Sequence, residues 1–326
     1  MRSYIQIFSP AEGKDYASFD LYLPASGDGR YYTCYHFLFE ENPIKPALSY
    51  AEGPNDPANR RFYRIRTAHV VRVDGDALTP DGVSVCFRAL QGGEIGLAFR
   101  ENGAGDFVGG LHGDEVLTVV SLTLDGREVA LDAPYFGSFE TLCFYEQSHI
   151  YRCNTPATRL ILHTQRYTVS ENTLCLSQRV EWLADAHVLQ AAYMPMLTAQ
   201  RLDPAEPSRI LSDTVEFYGD DGALVRTFDT TPYGTENGGK QWDNACANTP
   251  ASRVKVYGRT SGFSAEAGYT VKGNSIPAEQ RKTSLCIRYM KGALDNKIYF
   301  DIGGGTAPTA GTVWESDVFY RIAYEA

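Results

Sequence analysis

Apolar and polar residues alternate with a period of two along most of the chain, the mark of strands that bury one face. Residues 68–73, 83–87, 115–124, 160–168, 174–182, 253–257 and 297–302 show it most plainly. Long helical periodicity is almost absent, and Gly, Asp, Asn and Pro punctuate the runs. Asp125-Gly126 between two such runs predicts a hairpin. Ser170-Glu171-Asn172 predicts a second hairpin, and Asp220-Asp221-Gly222 a further turn.

Strands at this spacing predict an all-β protein, a large antiparallel β-sandwich built as a jelly roll or a supersandwich. A chain of 326 residues fits one sandwich domain covering residues 1–326. Residues 25–59, rich in Pro and Gly, lead to the expectation that residues 1–60 drape over the sheets as a loop-rich segment. The polar stretch 230–249 reads as a long loop, with Tyr233, Trp242 and Asn244 suited to a sugar-facing lid or to a plain surface loop.

Charge narrows the partners. The net charge is −10, and uniform acidity argues against nucleic acid, whose phosphates need a positive footprint. A local basic cleft on an acidic body still suits an anionic polysaccharide. Arg60, Arg61, Arg64, Arg66 and Arg72 are the one basic cluster, readable also as a strand with solvated arginines. Tyrosines number 21 against 3 tryptophans, and a phenol suits half-buried sheet faces and polar ligands such as sugars. The seven cysteines are odd in number and form no CxxC pair, so they are expected to be small buried or half-buried thiols, not a disulfide frame or zinc site. No cofactor is expected, although a Ca²⁺ site made of backbone carbonyls leaves no mark in a sequence. The first residues lack an apolar signal core, and no apolar run is long enough for membrane insertion. Cytoplasmic synthesis is expected, with virion association, release by lysis and homo-oligomer formation left open.

Two constellations carry candidate chemistry. The first is Gly105-Asp106-Phe107-Val108-Gly109-Gly110-Leu111-His112-Gly113-Asp114-Glu115, directly before a strand. Glycines permit positive φ, and an imidazole flanked by carboxylates suits acid–base work. A glycine-rich turn whose acids cap the next strand is the plainer alternative. The second is the hairpin over residues 160–182. Alternation puts His163, Gln165 and Tyr167 on one face of its first strand and Ser177, Arg179 and Glu181 on one face of its second. With a three-residue turn, these polar faces lie side by side. A lyase needs such a set: a group to neutralise a uronate carboxylate, a base at the adjacent carbon and an acid at the leaving oxygen. His112, His163, Tyr167, Gln165 and Arg179 are the candidate catalytic residues. Arg64, Arg66, Asp114, Glu115, Glu181, Tyr193, Trp242, Lys297 and Tyr299 are the candidate substrate-binding residues. A glycoside hydrolase would instead need two carboxylates about 5–10 Å apart.

The order of an Arg-x-Arg strand (Arg64, Arg66), a His-x-Gln strand (His163, Gln165) and a Lys-x-Tyr-Phe strand (Lys297, Tyr299, Phe300) resembles the three-strand pattern of jelly-roll alginate lyases. That family's central motif runs Gln-x-His, the reverse of this chain's, and its late motif continues Lys-Ala-Gly, which is missing here. The segments Asp106–Glu115, Tyr257-Gly258-Arg259-Thr260-Ser261-Gly262 and Asn296-Lys297-Ile298-Tyr299-Phe300-Asp301 are similar to β-rich receptor-end regions of phage and prophage tail proteins. Leu111-His112-Gly113 resembles the Leu-His-Gly of aldose epimerases of the supersandwich fold, whose second His motif is missing here. Together these imply a carbohydrate-active protein. The leading expectation is a polysaccharide lyase cleaving an acidic glycan. The alternatives are a glycan-binding or tail-associated module, and a glycoside hydrolase or sugar epimerase.

Overall fold

The computed structural model describes residues 1–41, 60–75, 77–95, 97–105, 107–153, 155–192, 197–203, 205–206, 208–231, 239–242, 251–273, 276–290 and 293–326. Its strands, in chain order, are β1 (Ser3–Ile7), β2 (Phe19–Pro24), β3 (Tyr31–Glu41), β4 (Arg60–Val73), β5 (Val83–Ile95), β6 (Ala98–Glu101), β7 (Glu115–Leu124), β8 (Arg127–Val129), β9 (Tyr135–Phe139), β10 (Leu142–Arg152) and β11 (Thr155–Ser170). There follow β12 (Thr173–Trp182), β13 (Val188–Ala192), β14 (Leu197–Gln200), β15 (Thr214–Tyr218), β16 (Leu224–Asp229), β17 (Gly239–Trp242), β18 (Arg253–Tyr257), β19 (Phe263–Lys272), β20 (Arg281–Met290), β21 (Ala293–Ile302) and β22 (Val313–Tyr324).

Pairing sorts them into two long antiparallel sheets. The first runs β9-β1-β2-β3-β4-β5-β14-β21-β20-β17. The second runs β8-β7-β10-β11-β12-β22-β19-β18-β15-β16. Two residue pairs, Arg60↔Glu115 and Arg61↔Val116, join β4 to β7 in parallel. β6 and β13 form a small separate pair. The architecture is the expected all-β sandwich, of the large two-sheet kind.

Both sheets give their inner faces to one apolar cluster. Phe19, Phe37 and Tyr63 from the first sheet pack on Phe144 and Tyr167 from the second, with ring centroids 5.0 Å apart for Phe19–Phe144 and 5.3 Å for Phe37–Tyr167. Trp182 and Trp314 meet edge to face at 5.0 Å on neighbouring strands. Burying each such ring contributes roughly 1.5–3 kcal/mol, before the entropy of ordering it is set against it.

Two expectations are corrected here. Residues 1–41 do not drape over the sheets: β1, β2 and β3 lie within the first sheet. The alternation in Tyr31–Glu41 builds β3, and the Gly-rich turns beside it hid that run. Residues 42–59 lie outside the described residues. The second correction concerns the β11–β12 hairpin. Ser170 pairs with Thr173, so the loop is two residues long, with Glu171 at positive φ. Shortening a loop by one residue reverses the parity of the register. Gln165 therefore faces Gln178, and His163 faces Val180. Ser177, Arg179 and Glu181 fall on the opposite face, away from the imidazole. The Asp125-Gly126 turn forms as expected, with φ of 48° and 76° and Leu124 paired to Arg127.

Candidate functional site

On the inner face of the second sheet, polar residues replace apolar ones in the middle of the core. Glu146, Gln165, Gln178 and Ser316 make one cross-strand row, and Ser148, His163, Val180 and Trp314 the next. Glu115 is the hub. Its Oε1 accepts from Ser148 Oγ at 2.5 Å and lies 2.9 Å from His163 Nδ1, while its Oε2 accepts from Gly110 N at 2.6 Å. Glu115 is 2% exposed and His163 1%. Burial pushes the Glu115 carboxyl up, but the contacts from His163, Ser148 and Gly110 outweigh it and hold it below the ordinary range. Glu146, which accepts from Tyr63 N at 3.2 Å, is pushed well above that range by burial and then by the Glu115 charge. One carboxylate is thus held charged and its neighbour neutral, both inside the core. Tyr167 donates to Gln165 Oε1 at 3.1 Å in the same cluster.

Gly110 links this cluster to the surface. It opens a 3-10 turn, Gly110–His112, that follows Gly109 at φ 91°. A Cβ on Gly109 would stand 2.5 Å from the Leu97 carbonyl oxygen, so glycine is required there by close approach as well as by φ. The turn brings the His112 ring to 5.1 Å from that of Phe107. Phe107 and Tyr299 pack on Ala98, and the Lys297 ammonium sits 4.7 Å from the Tyr299 ring centroid. His112, Phe107 and Tyr299 are half-buried; Lys297 is 1% exposed and the neighbouring Asp295 is buried. Burial alone pulls the Lys297 ammonium down to about 8. Lys297 and Tyr299 lie on the outer face of the first sheet, because Ile298 and Phe300 take the inner one.

The outer polar face continues away from Lys297. Gln200 pairs with Asp295 across β14 and β21 and accepts from Arg88 Nε at 3.1 Å. Arg88 pairs with His69, and His69 with Cys34.

The predicted residues therefore separate. Lys297 and Tyr299 stand together on the outer face of the first sheet, and His112 reaches them only through Phe107, which shares Ala98 with Tyr299. Glu115, His163, Gln165 and Tyr167 form the sealed core cluster, with Asp114 buried beside it at φ 58°. Arg179 and Glu181 pair at 2.6 Å on the outside of the second sheet. Arg64 is held by Glu40 through a bond of 2.9 Å from its Nε. Arg66 stands exposed on the outer face of the first sheet. Trp242 ends β17, opposite Cys286; Tyr193 and most of the 230–249 stretch lie outside the described residues. Glu146 and Ser148 were missed, although their alternation with Phe144 and Ile150 marks them as inner-face residues. Asp20, Tyr22 and His36 were missed because they sit in the segment expected to be loop-rich, and His69 because it was read only as part of an alternating strand. Among the described residues no cluster of His, Cys, Asp and Glu is arranged to hold a metal ion, and no helix is long and apolar enough to cross a membrane.

No protein-family model and no curated protein sequence matches this chain. Among solved structures, the galactose 1-epimerase from Lactobacillus acidophilus NCFM aligns over 99% of this chain and 99% of its own, at 8% identity and a TM-score of 0.39. The Slr1438 protein from Synechocystis sp. PCC 6803 aligns over 98% of this chain and 95% of its own, at 10% identity and a TM-score of 0.39.

Proposed function

We propose that this protein is a carbohydrate-active enzyme working on the outer face of the first sheet, and that it moves protons on a single sugar ring, as in aldose epimerisation. One observation carries the reading: the half-buried rings run in sequence, His112 beside Phe107, Phe107 and Tyr299 both against Ala98, and Tyr299 over the buried ammonium of Lys297. Aromatic faces suit the C–H face of a pyranose, and proton-exchanging groups suit its ring and anomeric oxygens. Epimerisation at C1 needs little else. A base takes the proton from the O1 hydroxyl, the C1–O5 bond breaks as the carbonyl forms, and an acid protonates O5; rotation and reversal give the other anomer. The half-buried Tyr299 phenol takes the acid role, and Lys297, 1% exposed and 4.7 Å from the Tyr299 ring centroid, acts through that ring as a positioning charge. His112 takes the base role. The Leu111-His112-Gly113 resemblance points the same way.

Elimination on a uronate polymer is weakened as a reading because Arg179 and His163 lie on opposite faces. Hydrolysis by a carboxylate pair is weakened because Glu115 and Glu146 are sealed in the core.

The test follows the optical rotation of freshly dissolved α-anomers across a panel of aldoses. The wild type is expected to speed equilibration, with His112→Ala and Lys297→Met each slowing it ~100-fold or more. A wild-type rate equal to that of buffer across the panel would end the reading. The appearance of ultraviolet-absorbing C=C ends from a uronate polymer would replace it with elimination.

A further inference from the structure

A groove of about 550 Å³ lies on the outer face of the first sheet over β1 to β5. The chain builds it by register. Gln6 pairs with Asp20, Asp20 with His36, and His36 with Thr67, so one row of polar side chains crosses four strands. Tyr22, Cys34 and His69 form the next row. Asp20 ties the floor together: its Oδ1 lies 2.6 Å from His36 Nδ1, and its Oδ2 accepts from Tyr22 Oη at 3.5 Å. Gln6 Oε1, 3.3 Å from the Tyr22 Oη, shares that single hydroxyl proton.

The rim is set by an irregularity. Phe37 pairs with Ile65 and His36 with Thr67, so Arg66 is an extra residue on β4 with no partner on β3. Such a bulge re-aims a side chain, and bulges gather beside binding sites. Here the guanidinium is exposed and lines the groove. Its neighbours Arg61, Arg64 and Arg72 are each held by a carboxylate; among the described residues none pairs with Arg66. Apolar side chains bound the groove at two places: Phe8 beside the His36 ring at the β1 edge, and Pro80, Val83 and Val85 at the β5 edge, where Val85 pairs with Val71 and is 65% exposed.

A planar cation, hydroxyl-matching acceptors and donors, and bare apolar edges suit one kind of ligand. We infer that this groove binds a carboxylate-bearing sugar chain, with a uronate carboxylate on Arg66, ring hydroxyls on the Asp20–His36 pair and Gln6, the C–H face of that ring against Phe8, and a neighbouring sugar unit against Val85. Chemistry at the floor is not needed for this. Burial, and then the Asp20 charge, push the Cys34 thiol well up, and burial pushes the Tyr22 phenol up, so both stay protonated as neutral groups. Burial, followed by the charge of Arg88, pulls His69 down, which leaves it neutral as well. The inference does not depend on epimerase activity at His112, which lies outside this groove.

Titration calorimetry of the full chain with an oligogalacturonate tests it, beside the matching neutral galactose oligomer and sodium acetate. The wild type is expected to bind the uronate oligomer at least tenfold more tightly than either control. Arg66→Ala and Val85→Asp are expected to weaken that binding tenfold or more at unchanged melting temperature, whereas His112→Ala leaves it intact. Failure of the wild type to bind the uronate oligomer would overturn the assignment. So would equal binding of acetate, equal binding of the neutral oligomer, or full binding by Arg66→Ala.

Discussion

His163 Nδ1 lies 2.9 Å from Glu115 Oε1, and this buried pair is tied through Gly110 N to the turn that carries His112. The carboxylate therefore does two structural jobs. It satisfies polar groups in the middle of the core, and it fixes a surface loop at the candidate site. The pair is best described as positioning machinery, since neither member reaches the surface.

Removing that hub should be severe. Glu115→Ala leaves Ser148, His163 and Gly110 N without their acceptor, and breaking a buried pair from one side typically costs about 3–5 kcal/mol. Urea denaturation at pH 7 measures it. A loss below ~1 kcal/mol would mean that the core network is dispensable.

The two core glutamates give opposite pH signatures. Glu115 has a depressed folded pKa, so its contribution is present above the ordinary value of 4.5 and is lost as pH falls through the folded value. Glu146 has a raised folded pKa, so its contribution is complete below 4.5 and is lost as pH rises toward the folded value. Glu146→Gln is therefore expected to stabilise the protein at pH 7 by ~1 kcal/mol, within the usual range for a stabilising change. The gain should vanish at pH 4, and denaturation midpoints at both pH values read the difference.

Lys297 offers a separation of stability from activity. Its folded pKa of about 8 lies below the ordinary 10.5, so burying the charge weakens the fold below pH 8, and stability returns as pH climbs from 8 toward 10.5. Lys297→Met should raise stability at pH 7 by roughly 3 kcal/mol, the fall from 10.5 to about 8 taken at 1.36 kcal/mol per unit. The gain should fade above pH 10. The same variant should lose aldose equilibration, which a purely structural lysine would not explain.

Gly109→Ala should cost about 2 kcal/mol or more, because φ 91° and the Leu97 carbonyl both oppose a methyl group. It should also displace the His112 turn. Thermal melting and the equilibration rate are expected to fall together, and a variant as stable as the wild type would show that the turn can shift freely.

The sequence by itself determined the β class, the two-sheet kind of sandwich and several strands, because period-two alternation is a local property of the chain. It also marked His112, Lys297 and Tyr299, through an unusual glycine turn and a strand with one polar face. Tertiary structure decided which candidates meet. A two-residue loop at Glu171-Asn172 set the parity of β12 and sent Arg179 away from His163, a choice invisible to alternation, which reads the same in either register. Burial of Glu115 and His163 came from sheet stacking, since a polar residue facing a second sheet and one facing water follow the same pattern along the strand. The groove under Arg66 needed a bulge on β4 and the pairing of four strands from β1 to β4, contacts that exist only once those strands lie side by side.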